Sequence, residues 1–204
     1  MVVKLIGASP SVCTHGVAVA LKEINVPYEI LLVNFAHMKN KDFLEQKQAF
    51  GQIPVLVEDE DCGFKLFESR AIARYLIAKH APNSKLIPKE PKANVLFEQA
   101  MSIENNDSQR LLCTCRRVGF RKVLQTVPMS TPPSTPLHWQ KKLEGYECIL
   151  SKQKYLTGDE LTLTDLLHLP IGTLITEQLG FKDSKQLLRY HAGGMIFHLA
   201  SLGR

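Results

Sequence analysis

The chain has 204 residues, 45% of them apolar, and a formal net charge of +5, enough for one large domain or two small ones, each with a core. No apolar run nears the roughly 20 residues that cross a bilayer, and the first twenty lack the basic start and greasy stretch of a secretory signal. The expectation is a soluble, cytoplasmic protein with no membrane partner. Five cysteines, an odd number with no repeated C-x-x-C pair, suggest neither a disulfide framework nor a metal site.

The positive excess is uneven. Residues 1–80 hold nine Lys or Arg against nine Asp or Glu, whereas the stretch between Asp107 and Glu144 has seven bases and no acid. A nucleic-acid surface would interleave aromatics and carry a binding motif. Both are missing, so this reads as a solvated basic stretch, and no nucleic-acid partner is expected.

In chain order, Val2, Val3, Leu5 and Ile6 predict a first strand. Val17, Ala20, Leu21 and Ile24 recur at helix spacing, so a helix starts close to Ser11 and Thr14, and Asn25 with Pro27 stops it. Tyr28 to Val33 is β-prone, and Asp42 to Gln48 predicts a short helix carrying Phe43 and Leu44 inward. Ile53 to Val57 predicts a third strand with Pro54 at its entrance, where a missing N–H does least harm. The acidic turn Glu58 to Gly63 leads to a fourth strand, Phe64 to Phe67. A helix then follows from Ser69 through Ile72, Tyr75, Leu76 and Lys79.

After Pro82 the strand patterns stop. Pro82, Pro88 and Pro91 punctuate a connector before a helical stripe of Ala93, Leu96, Phe97, Ala100 and Ile103. Leu143, Tyr146 and Leu150 follow, and then Leu163, Leu166, Leu167, Pro170, Ile171 and Leu174. Four prolines between Thr126 and Pro136 preclude an ordinary helix there. Thr162 and Asp165 have capping-box spacing, a structural start signal. Strands first and helices afterwards predict an α/β domain over 1–81 and an all-α domain over 91–204.

A strand that feeds a helix N-terminus presents unpaired N–H groups and partial positive charge, and so favours an anion. Ser11-Val-Cys-Thr14 stands where thioredoxin-like redox proteins carry C-x-x-C, with hydroxyls in place of both thiols. Serine cannot exchange disulfides, but it can donate a hydrogen bond to a thiolate that arrives with a ligand. Lowering a thiol of pKa ~8.5 by two units needs roughly 2.7 kcal/mol. A hydrogen bond to a charged group contributes about 1.5–3 kcal/mol and a helix end about 0.3–1 kcal/mol. The same hydroxyls could equally well only cap the helix. Gly51-Gln52-Ile53-Pro54 offers an amide and a prolyl turn whose backbone can pair with an extended peptide. Glu68-Ser69-Arg70 opens a helix and makes a second carboxylate site. Together these describe a groove for a short peptide with a thiol at one end and a carboxylate at the other.

The segments SPSVCTHGV, AFGQIPVL, LFESRAIARYL and KYLTGDELTLTDLLHLP resemble the glutathione S-transferases, most closely the phi class. The resemblance covers residues 1 to about 104 and about 141 to 181. It implies a thioredoxin-like N-terminal domain, an all-α C-terminal domain and a homodimer. It also implies transfer of glutathione, a co-substrate used without any further cofactor, to small hydrophobic electrophiles. Position by position, Ser11 matches the serine that stabilises the glutathione thiolate, and Thr14 the hydroxyl after it. Gln52 and Ile53 match the groups that hold the cysteinyl backbone, with Pro54 cis, and Glu68 and Ser69 match the pair that grips the γ-glutamyl end. Lys39 and Lys41 are the candidates for the glycine carboxylate.

The departures are His15-Gly16 in the first helix, the segment 107–140 and the segment 186–204, where the family tends to have a tryptophan-containing terminal helix; the only Trp is Trp139. Two alternatives accompany this reading. One is a thiol transferase or peroxidase using Cys13 as its own nucleophile, although Cys13 sits two residues beyond the matching position, on another side of the helix. The other is a non-catalytic glutathione-binding protein.

Overall fold

A computed structural model describes residues 2–58, 63–118 and 144–173. The turn at 59–62, the proline-rich stretch, Trp139, Leu174 and the segment 186–204 lie outside the described residues. The chain divides into two compact units, one running to Ile87 and the other starting at Pro88.

The first unit is built on β1 (Val3–Gly7), α1 (Val12–Glu23), β2 (Tyr28–Leu32), β3 (Val55–Glu58), β4 (Phe64–Phe67) and α3 (Ser69–His80), with the short α2 (Lys41–Gln46) between β2 and β3. The strands form one sheet in the order β2-β1-β3-β4. β1 is parallel to β2 and antiparallel to β3, and β4 is antiparallel to β3. This is the small mixed sheet that the β-α-β, α, β-β-α order predicts, in the thioredoxin-like arrangement that the resemblance implies. Val3 and Leu5 of β1, Val17 and Leu21 of α1, Leu56 of β3, and Ile72 and Leu76 of α3 make one buried cluster. Each such side chain gains about 1.5–3 kcal/mol on leaving water.

Asn25 stops α1 as the sequence predicts, and the reason is local. At φ 55° it takes the left-handed conformation that Asn tolerates. Its N–H donates to the Lys22 carbonyl at 3.0 Å, and the Val26 N–H donates to that of Leu21 at 2.9 Å. The two bonds satisfy carbonyls that the helix end leaves open.

Several boundaries move. β3 starts at Val55, not Ile53, because Pro54 has no N–H for the ladder; the Ile53–Pro54 bond is cis. β2 stops at Leu32, although the Val33 N–H still reaches the Gly7 carbonyl at 2.9 Å. A 3₁₀ turn over Phe35–Lys39 had no expectation; Asn34 caps it, its Oδ1 accepting the Ala36 N–H at 2.9 Å. Phe43 and Leu44 on α2 are half-buried rather than core.

In the second unit α4 (Pro91–Val118) packs on α5 (Leu163–Thr173), and residues 144–150 are helical. The buried side of α4 carries Phe97, Met101 and Glu104, spaced i, i+4, i+7, while Leu96, placed in the expected stripe, is 50% exposed. One residue from Phe97 is a rotation of about 100°, enough to leave the buried face. The start of α5 is held as its sequence predicts. Asp165 Oδ2 accepts the Thr162 N–H at 2.9 Å and the Thr162 hydroxyl at 2.8 Å, and Oδ1 accepts the Leu156 N–H at 2.9 Å. The Thr162 hydroxyl thus turns to the carboxylate as a donor. His168 joins α5 to the preceding helical stretch through Tyr146, with 3.0 Å between Nε2 and the phenol oxygen.

Candidate active site

Strand register brings the candidate residues to one end of the sheet. Gly7, the last residue of β1, lies opposite Leu32, and Ile6 lies opposite Val55, which in turn lies opposite Phe67. The loop to Ser11 leaves β1 at this end, Pro54 enters β3 here, and Glu68 and Ser69 follow directly on β4.

Ser11 is the N-cap of α1, and its Oγ accepts the Thr14 N–H at 3.2 Å. Among the described residues nothing accepts the Ser11 hydroxyl proton. Thr14 itself is wholly buried, and its Oγ1 has no hydrogen-bond partner among the described residues. Its side chain lies against Gly7, where an added Cβ would overlap Thr14 Cγ2. α1 carries no acid in its first turn, so its positive end is not compensated from within. Burial pushes the His15 imidazole below its ordinary value, so this ring adds no charge at neutral pH.

The N-terminus of α3 lies beside that of α1. Arg70 Nη1 donates to Ser69 Oγ at 3.1 Å and stands 3.9 Å from Cys13 Sγ. Ser69 is buried, whereas Glu68 is exposed and has φ 71° and ψ 107°. That left-handed backbone costs a non-glycine residue about 1–3 kcal/mol, and such conformations collect at functional sites. Glu68 caps α3 without its side chain, and α3 also lacks an acid in its first turn, so its N–H groups are suited to a carboxylate.

The turn before β3 is fastened from two sides. Gln48 Oε1 accepts the Phe50 N–H at 2.6 Å and the Gln52 N–H at 3.1 Å, and the Gln48 carbonyl accepts the Gly51 N–H at 3.0 Å. From the 3₁₀ turn, Lys39 Nζ donates to the Phe50 carbonyl at 2.8 Å. Gly51 is needed at this junction. It has φ 61°, and a Cβ there would stand 2.5 Å from the Met38 carbonyl oxygen and 3.0 Å from Lys39 Nζ. Lys41, the other candidate cation, pairs instead with Glu45 at 3.8 Å, both well exposed. Sequence reasoning missed Gln48 and the tie between Arg70 and Cys13. An amide in a short polar loop carries no motif, although a residue that can accept N–H groups just ahead of a Gly turn is a usable signal. Among the described residues no group of three or more His, Cys, Asp or Glu side chains is arranged to hold a metal.

The family profile for the glutathione S-transferase N-terminal domain matches residues 1–78, which contain every residue named in this site. Glutathione S-transferase PM239X14 of Arabidopsis thaliana is 43% identical over 183 residues, 86% of this chain and 82% of the relative. The chain belongs to the glutathione S-transferase family. Glutathione S-transferase hmp2 of Hypomyces subiculosus is 40% identical over 176 residues, 83% of this chain and 81% of the relative. Among solved structures, glutathione transferase F7 from Populus trichocarpa matches with a TM-score of 0.74 at 30% identity, covering 98% of each chain. Glutathione S-transferase-I bound with lactoylglutathione matches with a TM-score of 0.71 at 27% identity, covering 96% of this chain and 94% of the other. The family consists of transferases, and its two-domain architecture agrees with the fold described above.

Proposed function

We propose that this glutathione S-transferase conjugates reduced glutathione to small hydrophobic electrophiles through a thiolate stabilised by Ser11. The observation that carries the reading is the state of the Ser11 hydroxyl, whose oxygen accepts the Thr14 N–H while its proton has no acceptor among the described residues. Accepting an N–H at a helix terminus polarises the O–H and makes it a better donor. The glutathione thiol loses its proton to solvent, the Ser11 O–H turns to the sulfur anion, and the sulfur attacks the electrophile. A carbon–sulfur bond forms, and any leaving group departs with its electron pair. Thr14 contributes its main-chain N–H to this pair.

The backbone of Ile53 holds the cysteinyl unit beside Gln52 and Pro54, Glu68 and Ser69 take the γ-glutamyl end, and Lys39 or Lys41 meets the glycine carboxylate. Lactoylglutathione bound to a relative that aligns along nearly its whole length supports this choice of ligand. Glutathione is the co-substrate and no further cofactor takes part. The active form is a homodimer in the cytoplasm, and no helix of the described residues is long and apolar enough to cross a membrane.

Turnover of an aryl halide tests the reading. Ser11→Ala is expected to lower kcat/KM at neutral pH by roughly ten- to a hundredfold, the loss of one hydrogen bond to a charged acceptor, while the protein still binds immobilised glutathione. Undiminished turnover in that variant would reject Ser11. The approach of Arg70 to Cys13 Sγ favours a second reading, in which Cys13 is the nucleophile of a thiol transferase. Under that reading Cys13→Ala, and not Ser11→Ala, is inactive.

A further inference from the structure

Three consecutive N–H groups, those of Phe50, Gly51 and Gln52, all end on one residue. Gln48 takes two of them on its side-chain oxygen and one on its carbonyl, and it is itself anchored by its own N–H on the Phe43 carbonyl at 3.0 Å. Gln48 is 2% exposed, although Phe50 and Gln52 are exposed, so its side-chain oxygen is costly to leave without these partners. The next residue, Ile53, has no hydrogen-bond partner on its N–H or carbonyl among the described residues, and Pro54 has no N–H at all. The first backbone donor free for a ligand is therefore that of Ile53, and its direction is set by the turn that Gln48 holds.

From this geometry we infer that Gln48 is a positioning residue for glutathione, acting through the 50–52 turn to aim the Ile53 backbone at the cysteinyl unit of the tripeptide. The inference rests on the glutathione reading of the site. Gln48 touches no substrate; Lys39, on the Phe50 carbonyl, braces the same turn from outside. A residue acting in this way governs how well glutathione is held. It does not govern how readily the bound thiol ionises, which belongs to Ser11.

The test measures the glutathione dissociation constant by calorimetry on the full chain, beside kinetics with both substrates. Gln48→Met keeps the shape and removes the acceptor. Its dissociation constant and KM for glutathione are expected to rise about tenfold, the equivalent of one lost net hydrogen bond or slightly more. The electrophile KM and kcat at saturating glutathione stay within about twofold of the parent, as uniform binding loss requires. Gln48→Glu keeps the oxygen at the same reach and is expected to hold glutathione within about threefold of the parent, whereas Gln48→Asn retracts it by one methylene and loses affinity as Met does. If Gln48→Met does not fold, the Glu and Asn pair carries the same comparison. Equal affinity in all folded variants overturns the inference, as does a fall in kcat with an unchanged glutathione KM. A parent protein that binds no glutathione overturns the underlying reading instead.

Discussion

Thr14 spends its side chain on packing. Its hydroxyl is buried without a partner among the described residues, and its Cγ2 fills the space in which a Cβ on Gly7 would stand, with Oγ1 at 2.9 Å from the same point. Gly7→Ala is therefore expected to destabilise the protein by about 1–3 kcal/mol through overpacking, read as a lowered Tm. Adding Thr14→Ala removes both offending atoms and is expected to recover most of the loss. A double variant no more stable than Gly7→Ala alone would contradict this coupling. At this scale the sequence is legible where chemistry is local: a serine ahead of a helix pattern marks a cap, and the hydroxyl sits where that pattern puts it. Gln48 was passed over, because its bonds reach backbone groups of a turn whose path no side-chain pattern records; only its place just ahead of the Gly51 turn points to it.

The elements of the first unit follow from their residues, since period-2 and period-3.6 patterns are strong in β4, α1 and α3. The 3₁₀ turn at Phe35–Lys39 did not, being too short to show a period, and the rotation that exposes Leu96 depends on what α4 packs against. One tie between elements is sensitive to pH. Glu58 at the end of β3 accepts the Tyr75 hydroxyl and the Lys79 ammonium of α3, each at 2.7 Å. Burial alone would raise the Glu58 pKa, but these two hydrogen bonds and the Lys79 charge outweigh it and hold the carboxyl below its usual range. A carboxyl depressed in the folded state adds stability above its unfolded value, near 4.3, and loses it as the pH falls through its folded value. Glu58→Gln is accordingly expected to melt below the parent at pH 7, with the gap closing below about pH 4. A gap that persists unchanged in acid would show that the tie is not ionic.

Over the whole molecule, the likeness to solved relatives runs through both units, with 98% of each chain covered in one case, while the family profile is confined to residues 1–78. The same contrast holds in the sequence. The motifs of the first unit are dense and local, whereas the second unit is recognised chiefly by the Asp165 box, because helix packing leaves many substitutions tolerable. The departures at 107–140 fall largely, and those at 186–204 wholly, outside the described residues. On the proposed mechanism, the Ser11 hydroxyl at the N-cap of α1 makes the thiol of bound glutathione acidic. Ultraviolet titration of the complex measures this directly. The bound thiol is expected to ionise about two units below its ordinary pKa of ~8.5, and to return most of the way to that value in Ser11→Ala. Ionisation near 8.5 in the unaltered protein, or an equal depression in both, would contradict the account.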